Sequence, residues 1–136
     1  MTTPAQTPFH EILSDIVDVR DLIERFEALD SLRDNAGGTF NEGFTKEDAD
    51  EARELRALLN ALKGMGGDEQ WRGDWYPLTL IHDAYFTEYT QELLEDCGDI
   101  PKDLPDWIAI DWDKTAHNLK SDYTPIEISG RTYWTR

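Results

Sequence analysis

The sequence predicts an α+β fold, mostly helical, with acidic helices and a small C-terminal β-hairpin or sheet. Three observations predict it. Apolar residues recur at helical spacing through the first half of the chain, and capping residues flank the periodic stretches. Near the C-terminus, "YTPIEISGRTYW" (123–134) alternates around Ser129-Gly130 as a β-hairpin does.

Residues 1–8 are rich in Thr and Pro and are expected to form a flexible N-terminus. From Phe9 to about Asn35, Ile12, Ile16, Val19, Ile23 and Phe26 follow i, i+4, i+7, i+11, i+14, a helical stripe in which a break can fall between Ser14 and Asp18. "NAGGTFNEGF" (35–44) ends that segment. Thr45 with Asp48 three residues on predicts an N-cap with an acidic capping partner. The helix that follows should run to about Lys63 on a core stripe of Ala52, Leu55, Leu59 and Leu62, and "GMGG" stops it. Residues 9–66 are thus an acidic helical region.

"DEQWRGDWYP" (68–77) is expected to be a loop pinned by Trp71, Trp75 and Tyr76, and "LTLI" (78–81) a short extended piece. A helix from about Asp83 to Cys97 comes next, with Gly98 at the position that favours a left-handed conformation. Two prolines keep "IPKDLPDW" irregular. "DWDKTAHNLKSD" (111–122) predicts a helix with Asp111 as N-cap. Residues 78–136 form a second α+β region, expected to pack with the first as one compact unit. Cys97 is expected in its core, and Trp107 and Trp112 are expected to close it.

A chain of 136 residues is long enough for a real core. Its 29 acids and 13 bases leave a formal net charge of −16. Direct binding to nucleic acid or an anionic membrane is disfavoured, since both surfaces would repel it. A basic groove on a partner is the natural complement. Cys97 is the only cysteine, which excludes a disulfide framework or thiolate cluster and fits a reducing cytoplasm. The start "MTTPAQTPFHEILSDIV" lacks the basic and apolar regions of a signal peptide, and no apolar stretch approaches a membrane span.

The charge is not evenly spread. Between Thr87 and Trp107 stand Glu88, Glu92, Glu95, Asp96, Asp99, Asp103 and Asp106 against the single cation Lys102, and no Lys or Arg occurs from Gly73 to Pro101. On a helix, Glu88, Glu92 and Glu95 lie within an arc of roughly 60°, nearly opposite Phe86, Tyr89, Leu93 and Cys97. Asp113 extends the acidic set. Residues 11–54 repeat the habit with 14 acids and 5 bases. There Asp18, Asp21 and Glu24 leave the apolar side, and Glu47, Asp50 and Glu54 share a flank, with Arg53 and Arg56 on another. Successive acidic turns rise roughly 5–6 Å, against about 3.4 Å per nucleotide for phosphates on one DNA strand. Helical carboxylates can therefore sample the potential of a phosphate row without matching it atom for atom.

Other chemistry is poorly supported. With 29 acids, chance carboxylate pairs are inevitable and carry no catalytic signal. "DIPKDLPDW" lacks the spacing and glycine of a calcium loop. His10, His82 and His117 form no ligand motif, and "GMGG" has no strand before it as a nucleotide fingerprint requires. No catalytic residue, metal or cofactor is expected.

At the C-terminal end the order of features becomes specific. A Tyr- and Glu-rich helix ends in Cys97-Gly98. Ile-Pro and an acidic leucine stretch follow, then "DWIAIDW", "AHNL" and the closing hairpin. This order resembles the C-terminal region of the ArdA antirestriction proteins, with Ile108, Ile110, Asp111 and Trp112 in the family's Tyr-Ile-Asp-Tyr-like motif and Leu119 ending the helix after it. The match covers roughly residues 79–136, about two-fifths of the chain. Residues 10–64 match only as acidic helices, and the family's N-terminal β-rich domain has no counterpart.

The resemblance implies a DNA-mimicking inhibitor of phages or plasmids. Such a protein acts in the bacterial cytoplasm as an acidic homodimer in the DNA groove of a type I restriction–modification enzyme. An anti-CRISPR or other anti-defence role fits the same surface. A different class, a plain acidic adaptor for one basic protein, is the rival expectation.

Overall fold

The computed structural model describes residues 6–37, 39–40, 43–65, 68–71, 73–101 and 103–136. The loose N-terminus expected for residues 1–8 lies, over 1–5, outside the described residues, as do Gly66, Gly67 and Lys102.

Phe9 begins a short helix, α1 (Phe9–Ile12), that stops where Ser14 donates to the Ile16 carbonyl at 2.8 Å. The chain then extends as β1 (Ile16–Asp18) before helix α2 (Val19–Asn35) begins. The break is enforced by Asp18: its backbone is extended and its carboxylate accepts from the Arg20 N–H at 2.9 Å, an N-cap. The stripe read through Ile16 is corrected accordingly. On a strand Ile16 leaves the apolar face, and it is 43% exposed.

Helix α3 (Lys46–Leu62) starts in a complete capping box: Thr45 Oγ1 accepts from the Asp48 N–H at 3.2 Å and Asp48 accepts from the Thr45 N–H at 3.0 Å. Its buried stripe is Leu55, Leu58, Leu59 and Leu62. Ala52, expected in that stripe, is half-buried instead, and Leu58 takes its share. Facing it, α2 buries Leu22, Ile23, Phe26 and Leu29. Each such aliphatic side chain contributes about 1.5–3 kcal/mol through removal from water.

One charged pair sits among them. Arg25 Nε and Nη2 donate to Glu51 at 2.6 and 2.9 Å, and the Phe9 N–H donates to the same carboxylate at 3.0 Å. The side chains are 10% and 14% exposed, so α1, α2 and α3 meet on one buried carboxylate.

The expected 68–77 loop is a two-stranded hairpin: β2 (Asp68–Trp71) pairs antiparallel with β3 (Asp74–Tyr76), and Gly73 turns at φ +77°. A register irregularity between Glu69 and Trp71 interrupts the alternation that would have announced it. Trp71 meets the Phe26 ring edge-on at 5.5 Å, and Tyr76 is buried.

The chain divides into two compact units, residues 1–80 and 81–136. The passage occurs within β4 (Thr79–His82), and the larger sheet has strand order β1-β4-β6-β5. In the second unit, Ile81 and His82 pair with Trp134 and Tyr133 of β6 (Arg131–Thr135), which pairs along its length with β5 (Thr124–Ile128). Ser129 and Gly130 both take positive φ, 52° and 79°, the two-residue turn whose twist suits a hairpin.

After a 3₁₀ turn at Asp83–Tyr85 comes helix α4 (Phe86–Asp96). It ends in a Schellman motif: the Gly98 N–H donates to the Glu95 carbonyl and the Asp99 N–H to the Leu94 carbonyl. Helix α5 (Trp112–Leu119) is capped by Asp111, which accepts from the Lys114 N–H at 3.0 Å. The core of this unit is Ile81, Phe86, Ala116 and Tyr123, with Tyr85, Tyr89, Leu119 and Trp134 packed against it.

Two core expectations are corrected here. Cys97 is exposed, because α4 ends at Asp96 and its buried positions are Phe86 and Thr90, not a stripe continuing through Cys97. Trp107 is 83% exposed on the proline-interrupted segment, so only Trp112, half-buried at the start of α5, contributes to packing.

Candidate protein-interaction surface

The acidic residues of α4 occupy the helix face that Phe86 and Thr90 leave to solvent. Glu88, Glu92 and Asp96 are exposed and Glu95 is half-buried. Asp99 follows the Schellman turn, Asp103 lies between Pro101 and Pro105, Asp106 comes just after Pro105, and Asp113 is in the first turn of α5; all four are exposed. None of these eight carboxylates forms an ion pair among the described residues.

Their hydrogen bonds come from neutral donors. The Tyr85 hydroxyl lies 3.0 and 3.1 Å from the two Glu92 oxygens, Gln91 donates to Glu95 at 3.3 Å, and Thr87 donates to Asp113 at 3.3 Å. Such contacts orient a carboxylate without cancelling its charge.

The cation best placed to neutralise this unit is held elsewhere. Lys120 Nζ donates to Asp83 at 2.8 Å, and Trp134 Nε1 donates to the same oxygen at 2.8 Å. Lys120 also stands 5.3 Å from the Phe86 ring centroid and 5.2 Å from that of Trp134. The Lys120 ammonium and then the Trp134 indole hold the Asp83 carboxyl below its usual pKa. Nearby, burial and then the hydrogen bond with Tyr89, 3.2 Å away, push the Tyr123 phenol well above its ordinary value. Sequence reading missed the Asp83 clip, because its members are separated by 37 and 51 residues and carry no local signature.

The acids expected on the first unit behave differently. Asp18 is an N-cap bound to Arg20 at 2.7 Å; the Arg20 side-chain hydrogen bonds keep its carboxyl low despite partial burial. Asp50 pairs with Arg53 at 3.4 Å, so the Arg53 flank and the acidic flank of α3 touch. Glu54 lies 3.5 Å from His10. Asp21 is half-buried; burial first, then the carboxylates of Asp18 and Glu24, push its pKa up. Glu24 and Glu47 are exposed.

Ion pairing therefore separates the two sets. The expected acids of residues 1–80 are partly neutralised, and those of residues 81–136 pair with no cation among the described residues. Among the described residues no group of three or more His, Cys, Asp or Glu could hold a metal ion, and no helix is long and apolar enough to cross a membrane. What the arrangement can do chemically is project a negative field toward a cationic surface. The chain matches no protein-family model, no curated protein and no solved structure.

Proposed function

We propose that this chain is a DNA-mimicking anti-defence protein that occupies the basic DNA-binding groove of a host restriction–modification enzyme, type I in the first instance. The observation that carries the proposal is the row Glu88, Glu92, Glu95 and Asp96 on α4, where Glu92 and Glu95 accept from neutral donors and no cation among the described residues is paired to any of the four. A solvated surface tuned only for solubility intersperses both signs. This face carries one sign. The ArdA-like order of Gly98, Ile108, Ile110, Asp111, Trp112 and Leu119 gives the reading its direction toward restriction enzymes.

The protein acts in the bacterial cytoplasm, without metal or cofactor, and as a homodimer that doubles the acidic surface. Exposed Trp107 and Ile108 beside that surface supply apolar area for association.

The test is competition. Purified protein is titrated into a type I restriction enzyme bound to labelled duplex DNA, with cleavage and DNA release followed together. Release of DNA in parallel with loss of cleavage supports mimicry. Inhibition with DNA still bound would convert the protein into an acidic adaptor. Failure against restriction enzymes, with displacement of guide or target from a CRISPR effector, would move the same surface to a different defence system.

A further inference from the structure

Against the trend of the molecule, one concave site in residues 1–80 is rich in cations. A cavity of about 310 Å³ lies between α2, α3 and the β2–β3 hairpin. Phe26, Trp71 and Tyr76 form an aromatic wall, with Trp71 5.5 Å from Phe26 and 6.1 Å from Tyr76 between ring centroids. Around it stand Arg33 from α2, Arg56 from α3 and Lys63 just past its end, against the two carboxylates Asp30 and Asp74.

Their spacing is ordered. Arg56 and Asn60 fall at i and i+4 and so share one face of α3, and Lys63 follows directly as its C-cap. Arg33 is hydrogen-bonded to Asp30, and Lys63 Nζ lies 3.2 Å from Asp74. Arg56 is exposed and makes no ion pair or hydrogen bond among the described residues. Among the described residues the lining thus keeps one guanidinium without a paired carboxylate, in a chain whose net charge is −16. A second cavity of about 350 Å³ shares Phe26, Asp30, Arg33 and Arg56, so both guanidinium groups stand where the two spaces meet.

From this geometry we infer that the cavity binds a mononucleotide-sized aromatic anion. Its ring lies against half-buried Trp71, which buried Phe26 and Tyr76 back, its anionic group is held by Arg56 and Arg33, and the Asn60 amide bonds the polar edge of the ring. The volume sits at the lower end of small-ligand sites, roughly 300–1,000 Å³. A bare anion leaves the open part of the Trp71 ring uncovered. A neutral ring leaves Arg56 without counter-charge. Guanidinium groups favour planar, multidentate oxyanions, and phosphate is the strongest common case.

The site shares no residue with the acidic face of α4, so the two proposals fail independently. Isothermal titration of the full chain uses AMP and UMP as charged aromatic probes, adenosine as ring without charge, and inorganic phosphate as charge without ring. Expected is saturable one-to-one binding of a monophosphate at least about tenfold tighter than either fragment. Arg56→Gln should weaken it about tenfold or more with an unchanged melting temperature, because Arg56 is exposed and unpartnered. The Trp71 indole N–H resonance should shift on binding in the unmutated chain. Absence of nucleotide binding at millimolar concentration, equal affinity for the fragments, or full affinity in Arg56→Gln would overturn the inference.

Discussion

Neutralising α4 should weaken binding and strengthen the fold, two effects of opposite sign from one perturbation. The variant is Glu88→Gln, Glu92→Gln, Glu95→Gln and Asp96→Asn together. An exposed ion pair contributes about 0–1 kcal/mol, so four lost pairings with a cationic groove come to about 2 kcal/mol. That corresponds to roughly 30-fold in the inhibition constant. On the stability side, Glu88–Glu92 and Glu92–Asp96 are like-charge i, i+4 pairs and Glu92–Glu95 an i, i+3 pair, each costing about 0.2–0.5 kcal/mol. Glu95 and Asp96 also sit in the last turn, where the helix dipole disfavours anions, while Glu88 loses a favourable place in the first turn. The net is a gain of about 1 kcal/mol, a rise of roughly 3 °C in melting temperature for a chain of this size. Glu92→Gln alone should change little, because the amide oxygen still accepts from Tyr85.

Inhibition is measured at low and physiological salt alongside thermal melts. The slope of affinity against salt should flatten with the four charges gone. Unchanged inhibition at every ionic strength would show that α4 is not the binding surface. A fall in melting temperature would show that these carboxylates have stabilising partners after all, and the inference from their lack of cations would fail.

Removing Arg25 (Arg25→Met) leaves the Phe9 N–H as the remaining partner of Glu51 among the described residues, and urea unfolding should register a loss of about 3–5 kcal/mol; Arg25→Met with Glu51→Met should recover much of it. Because the folded Asp83 carboxyl is held below its unfolded value of about 3.9, its contribution is present above that pH and is lost as pH falls through the folded value. Melts between neutral and strongly acidic pH should therefore show an acid-side loss that Asp83→Asn reduces; an identical acid profile in that variant would remove the clip from the account. Trp107→Ala should leave stability within about 0.5 kcal/mol, as for an exposed side chain, while lowering the dimer fraction seen by light scattering. A wild-type chain that is monomeric at tens of micromolar (on the order of a weak-dimer test) would refute the association.

What was legible in the sequence was local chemistry. The Thr45–Asp48 box, the Asp111 cap, the left-handed Gly98 and the Ser129-Gly130 turn each need only four or five neighbouring residues, and all formed as expected. The β2–β3 hairpin escaped because its strands are three and four residues long and an irregular register breaks their alternation. Thr90 took a core position that polarity argued against, since its hydroxyl donates to the Phe86 carbonyl at 2.9 Å and needs no water. Helical phase points Cys97 inward and residue type points Trp107 inward; a helix ending one residue earlier and a proline-bound segment put them outside. The candidate acids were readable as residues, but their pairing was not. Only the structure separates Asp18, Asp50 and Glu54, which have basic neighbours, from the α4 row, which has none among the described residues.

Strand β5 is the outer edge of its sheet, and open edges invite other chains to add strands. Pro125, paired opposite Trp134, has no N–H to offer an incoming backbone, and Glu127 adds an exposed charge two residues on. Main-chain augmentation is thereby discouraged along this edge. Whatever binds along this edge must recognise side chains and shape rather than add a strand.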